Sequence, residues 1–130
     1  MKIQGYKIWI IVFVLAGVSA CKKTTESSQE TEEIKLEKLM AEIKELSDSR
    51  CENESDWRIR PIGSKPCGGP TGFIPYSSKI DTIAFIKKVN KYTADQNTYN
   101  KKWGMSSDCS IPQRPKKIVC ENNKPKPVYE

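Results

Sequence analysis

Four cysteines, Cys51, Cys67, Cys109 and Cys120, are the residues of this 130-residue chain whose type and spacing most directly permit chemistry. Separated by 16, 42 and 11 positions, they include no C-x-x-C pair, and the chain has no histidine. Zinc coordination is therefore disfavoured, and disulfide formation is the chemistry that an even set of four suits in an oxidising compartment. Three pairings exist. The nested one, Cys51 with Cys120 and Cys67 with Cys109, is favoured because it ties the two ends of this segment together and then staples its middle. Lack of histidine also removes the commonest general base, so no enzyme and no cofactor are expected. Glu52, Glu54 and Asp56 lie close together, yet their spacing lacks the glycine and distal glutamate of an EF-hand loop. No metal site is expected there.

Binding chemistry has two candidate carriers. In Lys65-Pro66-Cys67-Gly68-Gly69-Pro70, two glycines stand between a staple and a proline and permit backbone shapes closed to other residues. A loop held by a disulfide loses little entropy on binding. Lys65 is its expected outward-facing cation, and Pro66, Gly68, Gly69 and Pro70 complete a candidate contact surface for a partner protein. The same surface would suit an inhibitor of a protease or cell-wall hydrolase. The plainer alternative is that the glycines let two chain segments cross closely around the Cys67 bridge. Trp57, next to Arg58 and near Arg60, is a second candidate contact if its strand lies at the rim. Tyr76, Tyr92, Tyr99 and Trp103 would also suit a groove for sugar or peptide, although core is the commoner use of such spacing.

The elements that must position these residues follow from periodicity and punctuation. Ile34, Leu36, Leu39, Met40, Ile43 and Leu46 recur at helical spacing behind Thr31, which predicts an amphipathic helix over about 32–46 within a 32–50 segment. Its apolar stripe would dock on the rest of the chain or pair with another copy or partner; the latter is the basis for a structural envelope role through residues 31–46. Residues 51–130 form a small stapled domain. Trp57–Ile62 and Phe73–Tyr76 suit short strands, with Pro61 marking an edge. Ser78 is expected to open a long helix, with Asp81 completing a capping box, Ile80, Ile83, Ile86, Val89, Tyr92, Tyr99 and Trp103 as the buried stripe, and Gly104 as the stop. Lys117–Cys120 and Pro127–Tyr129 suit a hairpin with its turn at Asn122-Asn123-Lys124. The expected class is α+β: a short antiparallel sheet packed against one long helix, disulfide-stapled, with an N-terminal amphipathic helix and a flexible tether.

The tether is expected over 21–31, because residues 22–30 contain no apolar side chain to offset ordering entropy. Before it, a basic start through Lys7 and an apolar run from Ile8 to Val18 have the proportions of an export signal rather than a spanning helix. Residues 1–20 are therefore the expected signal peptide. Val18-Ser19-Ala20-Cys21 resembles the lipobox of bacterial lipoproteins. That resemblance implies cleavage before Cys21, a diacylglycerol thioether on its sulfur, and acylation of the new amino terminus, a multi-chain anchor that holds stably. By analogy, Lys22 rather than aspartate after the anchor favours the outer membrane. Without residues 1–20 the chain keeps 20 basic and 16 acidic residues, of which 14 and 8 lie in 51–130. This excess suits an acidic glycan, lipopolysaccharide or an acidic envelope or extracellular protein; nucleic acid is excluded by export.

Cys67-Gly68-Gly69-Pro70, Lys102-Trp103-Gly104, Ser107-Asp108-Cys109 and Val119-Cys120-Glu121-Asn122-Asn123-Lys124 together resemble a pattern of small exported lipoproteins to which no activity is attached. The resemblance implies a shared stapled domain and carries no catalytic residue. The most specific functional expectation is thus a membrane-anchored envelope lipoprotein that acts as a binding or interaction module.

Overall fold

A computed structural model describes residues 28–129. The signal peptide, Cys21 and most of the expected tether lie outside the described residues. Helix α1 spans Gln29–Ser47 and begins before the expected boundary, because Ser28 rather than Thr31 is the cap: its Oγ accepts from the Thr31 backbone N–H at 3.2 Å. Gln29 to Thr31, placed in the tether by composition, are helical. A 3₁₀ turn at Glu54–Asp56 leads into strand β1, Trp57–Ile62, which pairs antiparallel with β2, Gly72–Ser77. Helix α2 spans Thr82–Lys102, and the chain closes with the hairpin β3, Lys117–Glu121, and β4, Lys124–Val128. The class is α+β, but the four strands form two separate two-stranded sheets instead of one.

Each boundary has a local cause. Asp81 is itself the N-cap of α2, its carboxylate accepting from Ala84 N–H at 3.0 Å, so Ser78 lies in the preceding turn rather than opening the helix. At the other end Gly104 takes a φ of +59°, and Met105 N–H donates to Asn100 O at 3.0 Å, which satisfies a terminal carbonyl. Asn122 and Asn123 supply the two positive φ values of a tight hairpin turn. Pro125 and Pro127 stand two residues apart in β4, opposite Cys120 and Ile118. Counted from the pair that closes the turn, both fall at non-hydrogen-bonded positions, where a missing N–H faces outward.

The main core joins both helices to the first hairpin: Ile43, Ile62, Ile74, Phe85, Val89 and Tyr92 are buried together. Tyr76 stacks on Phe85 with ring centroids 4.7 Å apart. The expected α2 stripe is corrected at two positions. Ile83 is 81 % exposed, and Phe85, which was not expected inside, is fully buried. A second, smaller cluster packs Cys51, Trp57 and Ile118, linking β1 to the last hairpin.

Helix α1 docks on the rest of the chain. It runs antiparallel to α2: Glu32 meets Lys102 at 2.7 Å and accepts from Trp103 Nε1 at 2.9 Å, while Glu42 meets Lys88 at 2.6 Å. The Lys88 ammonium, through its hydrogen bond and charge, holds the Glu42 carboxyl below the usual glutamate value. Ile43 is fully buried and Leu36, Leu39, Met40 and Leu46 lean on the same core, whereas Ile34 stays exposed. The stripe is therefore largely covered within the chain.

Candidate functional site

Both disulfides are present in the nested pairing, Cys51–Cys120 and Cys67–Cys109. They differ in setting. Cys51 is buried in the second cluster, with Cys120 packed against it, while Cys67 and Cys109 are both exposed.

The loop before Cys67 is held by polar side chains of α2. Gly63 N–H donates to Thr93 Oγ1 at 3.0 Å, Ser64 N–H donates to Gln96 Oε1 at 2.7 Å, and Asn100 Nδ2 donates to Ser64 O at 2.7 Å. Gln96, the polar interruption of an otherwise apolar helical face, is therefore one of three residues that fix the loop backbone; its Nε2 also donates to the Tyr92 hydroxyl at 3.3 Å. Burial pushes that phenol up from its usual value, and the Gln96 bond opposes the shift. Beyond Ser64 the chain turns tightly, with Lys65 N–H donating to Gly69 O and Gly68 N–H to Lys65 O, both at 2.9 Å.

Gly68 and Gly69 have φ of +96° and +80°, yet a Cβ at either would meet no atom within 4 Å. They are required for the turn, not for two segments to cross. The close approach occurs instead at Gly63, where a Cβ would lie 1.9 Å from Thr71 Oγ1.

Two candidate contacts are corrected by these surroundings. Lys65 does not face outward: its side chain is 15 % exposed. Its ammonium reaches Asp108 Oδ1 at 3.0 Å and O at 3.3 Å, and Ser110 O at 2.6 Å and Oγ at 3.2 Å. A lysine with three donors occupied in this way joins the loop to the Cys109 segment and does not project toward a partner. Trp57 is 6 % exposed, packed between Cys51 and Ile118. The last hairpin covers it, so its strand is not a rim at that position. Pro66, Gly68 and Gly69 remain exposed and Pro70 half-buried.

Two grooves carry concentrated positive charge. The first, about 590 Å³ between α1 and α2, is lined by Lys35, Lys38 and Lys87 together with the paired Lys88–Glu42 and Lys91–Asp95. The second, about 570 Å³, runs between the start of β1 and the segment entering β3, and is lined by Arg58, Arg114, Lys116 and Lys117 with Glu54 as its one acid. Among the described residues, no carboxylate lies within 4.0 Å of any of these four cations. Arg114-Pro115-Lys116-Lys117 is visible in the sequence as a basic run, the one signal there for this second groove. That Arg58 joins it depends on the packing of β1 beside β3.

Among the described residues, no group of three or more histidine, cysteine, aspartate or glutamate side chains is arranged to hold a metal, and no helix is long and apolar enough to cross a membrane. No family model, curated protein or solved structure matches the chain.

Proposed function

We propose that this protein is an exported, lipid-anchored binding module of the cell envelope, held at Cys21 and presenting a rigid stapled fold to a partner. The observation that carries the reading is the pair of intramolecular disulfides in a chain that opens with an export pattern and a cysteine at its end. Four cysteines satisfied as bridges imply an oxidising compartment and leave Cys21 as the fifth, where a lipobox places its lipid acceptor. The fold supports recognition rather than a spacer role, because the apolar stripe of α1 is occupied by α2 and the first hairpin. Engagement of Lys65 by Asp108 and Ser110 removes the exposed cation on which a loop-based hydrolase inhibitor would rest.

Metabolic labelling with a fatty acid, combined with membrane fractionation, tests the anchor. The wild-type chain is expected to carry label and sediment with membranes, and Cys21→Ser to lose both. Unchanged labelling or sedimentation in Cys21→Ser would refute the assignment.

A further inference from the structure

We infer that the groove between β1 and the 114–118 segment binds an acidic polysaccharide, taking its carboxylate or sulfate groups on Arg58, Arg114, Lys116 and Lys117. The inference rests on the binding-module reading and names its site and ligand class.

Charge carries the first step. Six lysines elsewhere meet acids: Lys79 with Asp56, Lys88 with Glu42, Lys91 with Asp95, Lys102 with Glu32, Lys124 with Asp48 and Lys126 with Glu121, and the α1–α2 groove mixes Lys35, Lys38 and Lys87 with two such pairs. In this groove four cations face a single glutamate, and among the described residues none of the four meets a carboxylate within 4.0 Å. A concave surface of one sign attracts the opposite sign and concentrates it.

Two of the cations are also held in place. Arg58 Nη1 donates to Ser55 O at 2.6 Å and to Trp57 O at 2.9 Å, which leaves Nε–H and both Nη2 hydrogens for a ligand. The Arg114 guanidinium lies over the Phe73 ring, 6.0 Å from its centroid. A planar fork fixed beforehand suits a carboxylate or sulfate, which it meets with two parallel hydrogen bonds.

The groove lacks what a protein partner would need. Of its apolar lining residues, Trp57, Pro115 and Ile118 are buried, and Ile59 and Tyr76 are half-buried. The exposed large apolar residues, Ile34, Ile83, Met105, Ile111 and Tyr129, are not among its lining. Protein interfaces draw their affinity from aromatic and aliphatic anchors in desolvated pockets, and no large apolar side chain stands fully exposed in this lining.

Placement separates the ligand from the protein's own bilayer. The chain enters the described fold at Ser28, where α1 begins beside the C-terminal end of α2. Asp56, between the groove residues Ser55 and Trp57, pairs with Lys79 just before the N-terminal end of α2. A helix of 21 residues is about 30 Å long. The Arg58 end of the groove thus lies about a helix length from the chain's entry, where it meets a polymer more readily than a lipid headgroup.

The test uses the oxidised chain from Lys22 onward with heparin as the sulfated probe, polygalacturonate as the carboxylated probe, polyglutamate as the acidic peptide and dextran as the neutral control. Lys116→Gln with Lys117→Gln is compared with Lys35→Gln with Lys38→Gln, which removes the same charge from the other groove; circular dichroism checks that both remain folded. At least one acidic polysaccharide is expected to bind at physiological salt, at least tenfold more weakly in the first variant and within twofold of wild type in the second. Equal weakening in both variants would mean diffuse attraction and overturn the inference, as would equal or tighter binding of polyglutamate or dextran, or no polysaccharide binding. No polysaccharide binding by the wild-type chain, with fatty-acid labelling of Cys21 intact, sinks this inference alone, whereas wild-type binding without labelling sinks the anchored reading alone.

Discussion

At the scale of single residues, Lys65 decides how the exposed disulfide loop behaves. Its ammonium and the Ser110 hydroxyl both bond Asp108, and the two together, Ser110 first, hold that carboxyl below the usual aspartate value. A depressed folded value means that Asp108 contributes stability above its unfolded pKa and loses it as pH falls through the folded one. Replacing Lys65 with Met removes one of the two causes and leaves the Ser110 bond at 2.7 Å. The Asp108 midpoint, followed by carboxyl-carbon NMR, is expected to rise in Lys65→Met but to stay below that of an unstructured aspartate. The stability difference between wild type and variant is expected to shrink in acid, below the depressed value, because a protonated Asp108 no longer favours the cation. An unmoved midpoint would show that Lys65 does not bond Asp108 in solution, and would return Lys65 to the surface as a candidate contact.

At the scale of elements, α1 belongs to the core rather than to a spacer. Ile43 is fully buried between α2 and the first hairpin, so Ile43→Ala is expected to cost about 2–5 kcal/mol, the range for a large side chain truncated in a packed interior. A denaturant midpoint shift with unchanged slope checks it, and a shift equivalent to well under 1 kcal/mol would mean that α1 is not docked. The register of α1 is legible in the sequence because its apolar residues repeat at three-and-four spacing. Its first turn is not: Gln29 to Glu33 are polar, and what holds them is distant, with Gln29 Nε2 donating to the Tyr99 hydroxyl at 3.2 Å and Glu32 bound by Lys102 and Trp103. In α2 the sequence expectation follows isoleucines at strict three-residue steps, 80, 83 and 86, which precess about 60° per step around a helix of 3.6 residues per turn. The buried face keeps the expected Val89, Tyr92 and Tyr99 but begins at Phe85, with steps of four, three and seven, which stay aligned. Trp57 was beyond reach for another reason. Alternation places it on one face of β1, but only the later hairpin, some sixty residues on, determines that this face is covered. The basic groove shares that limit: the run at 114–117 is visible, whereas its meeting with Arg58 is a property of the packed chain.

At the scale of the whole molecule, the two bridges do unequal work. Cys51–Cys120 closes a span of 69 residues inside the cluster of Trp57 and Ile118, and Cys67–Cys109 closes 42 residues at the surface. The chain-entropy argument gives each about 4 kcal/mol of restriction on the unfolded state, comparable to the whole stability of a small domain. Access differs where entropy does not. A reductant reaches Cys67 and Cys109 from solvent, but reaches the half-buried Cys120 and the buried Cys51 only after the second cluster opens. Limited reduction followed by alkylation and peptide mass mapping is therefore expected to label Cys67 and Cys109 first. The resulting one-bridge species is expected to keep the near-ultraviolet signal of buried Trp57 while its unfolding midpoint falls. The loop itself should hold its shape in that species, because Thr93, Gln96 and Asn100 grip its backbone independently of the sulfurs. Simultaneous labelling of all four cysteines would mean that the inner cluster opens as readily as the surface bridge, and the two halves of the fold would then share one cooperative transition rather than being stapled separately.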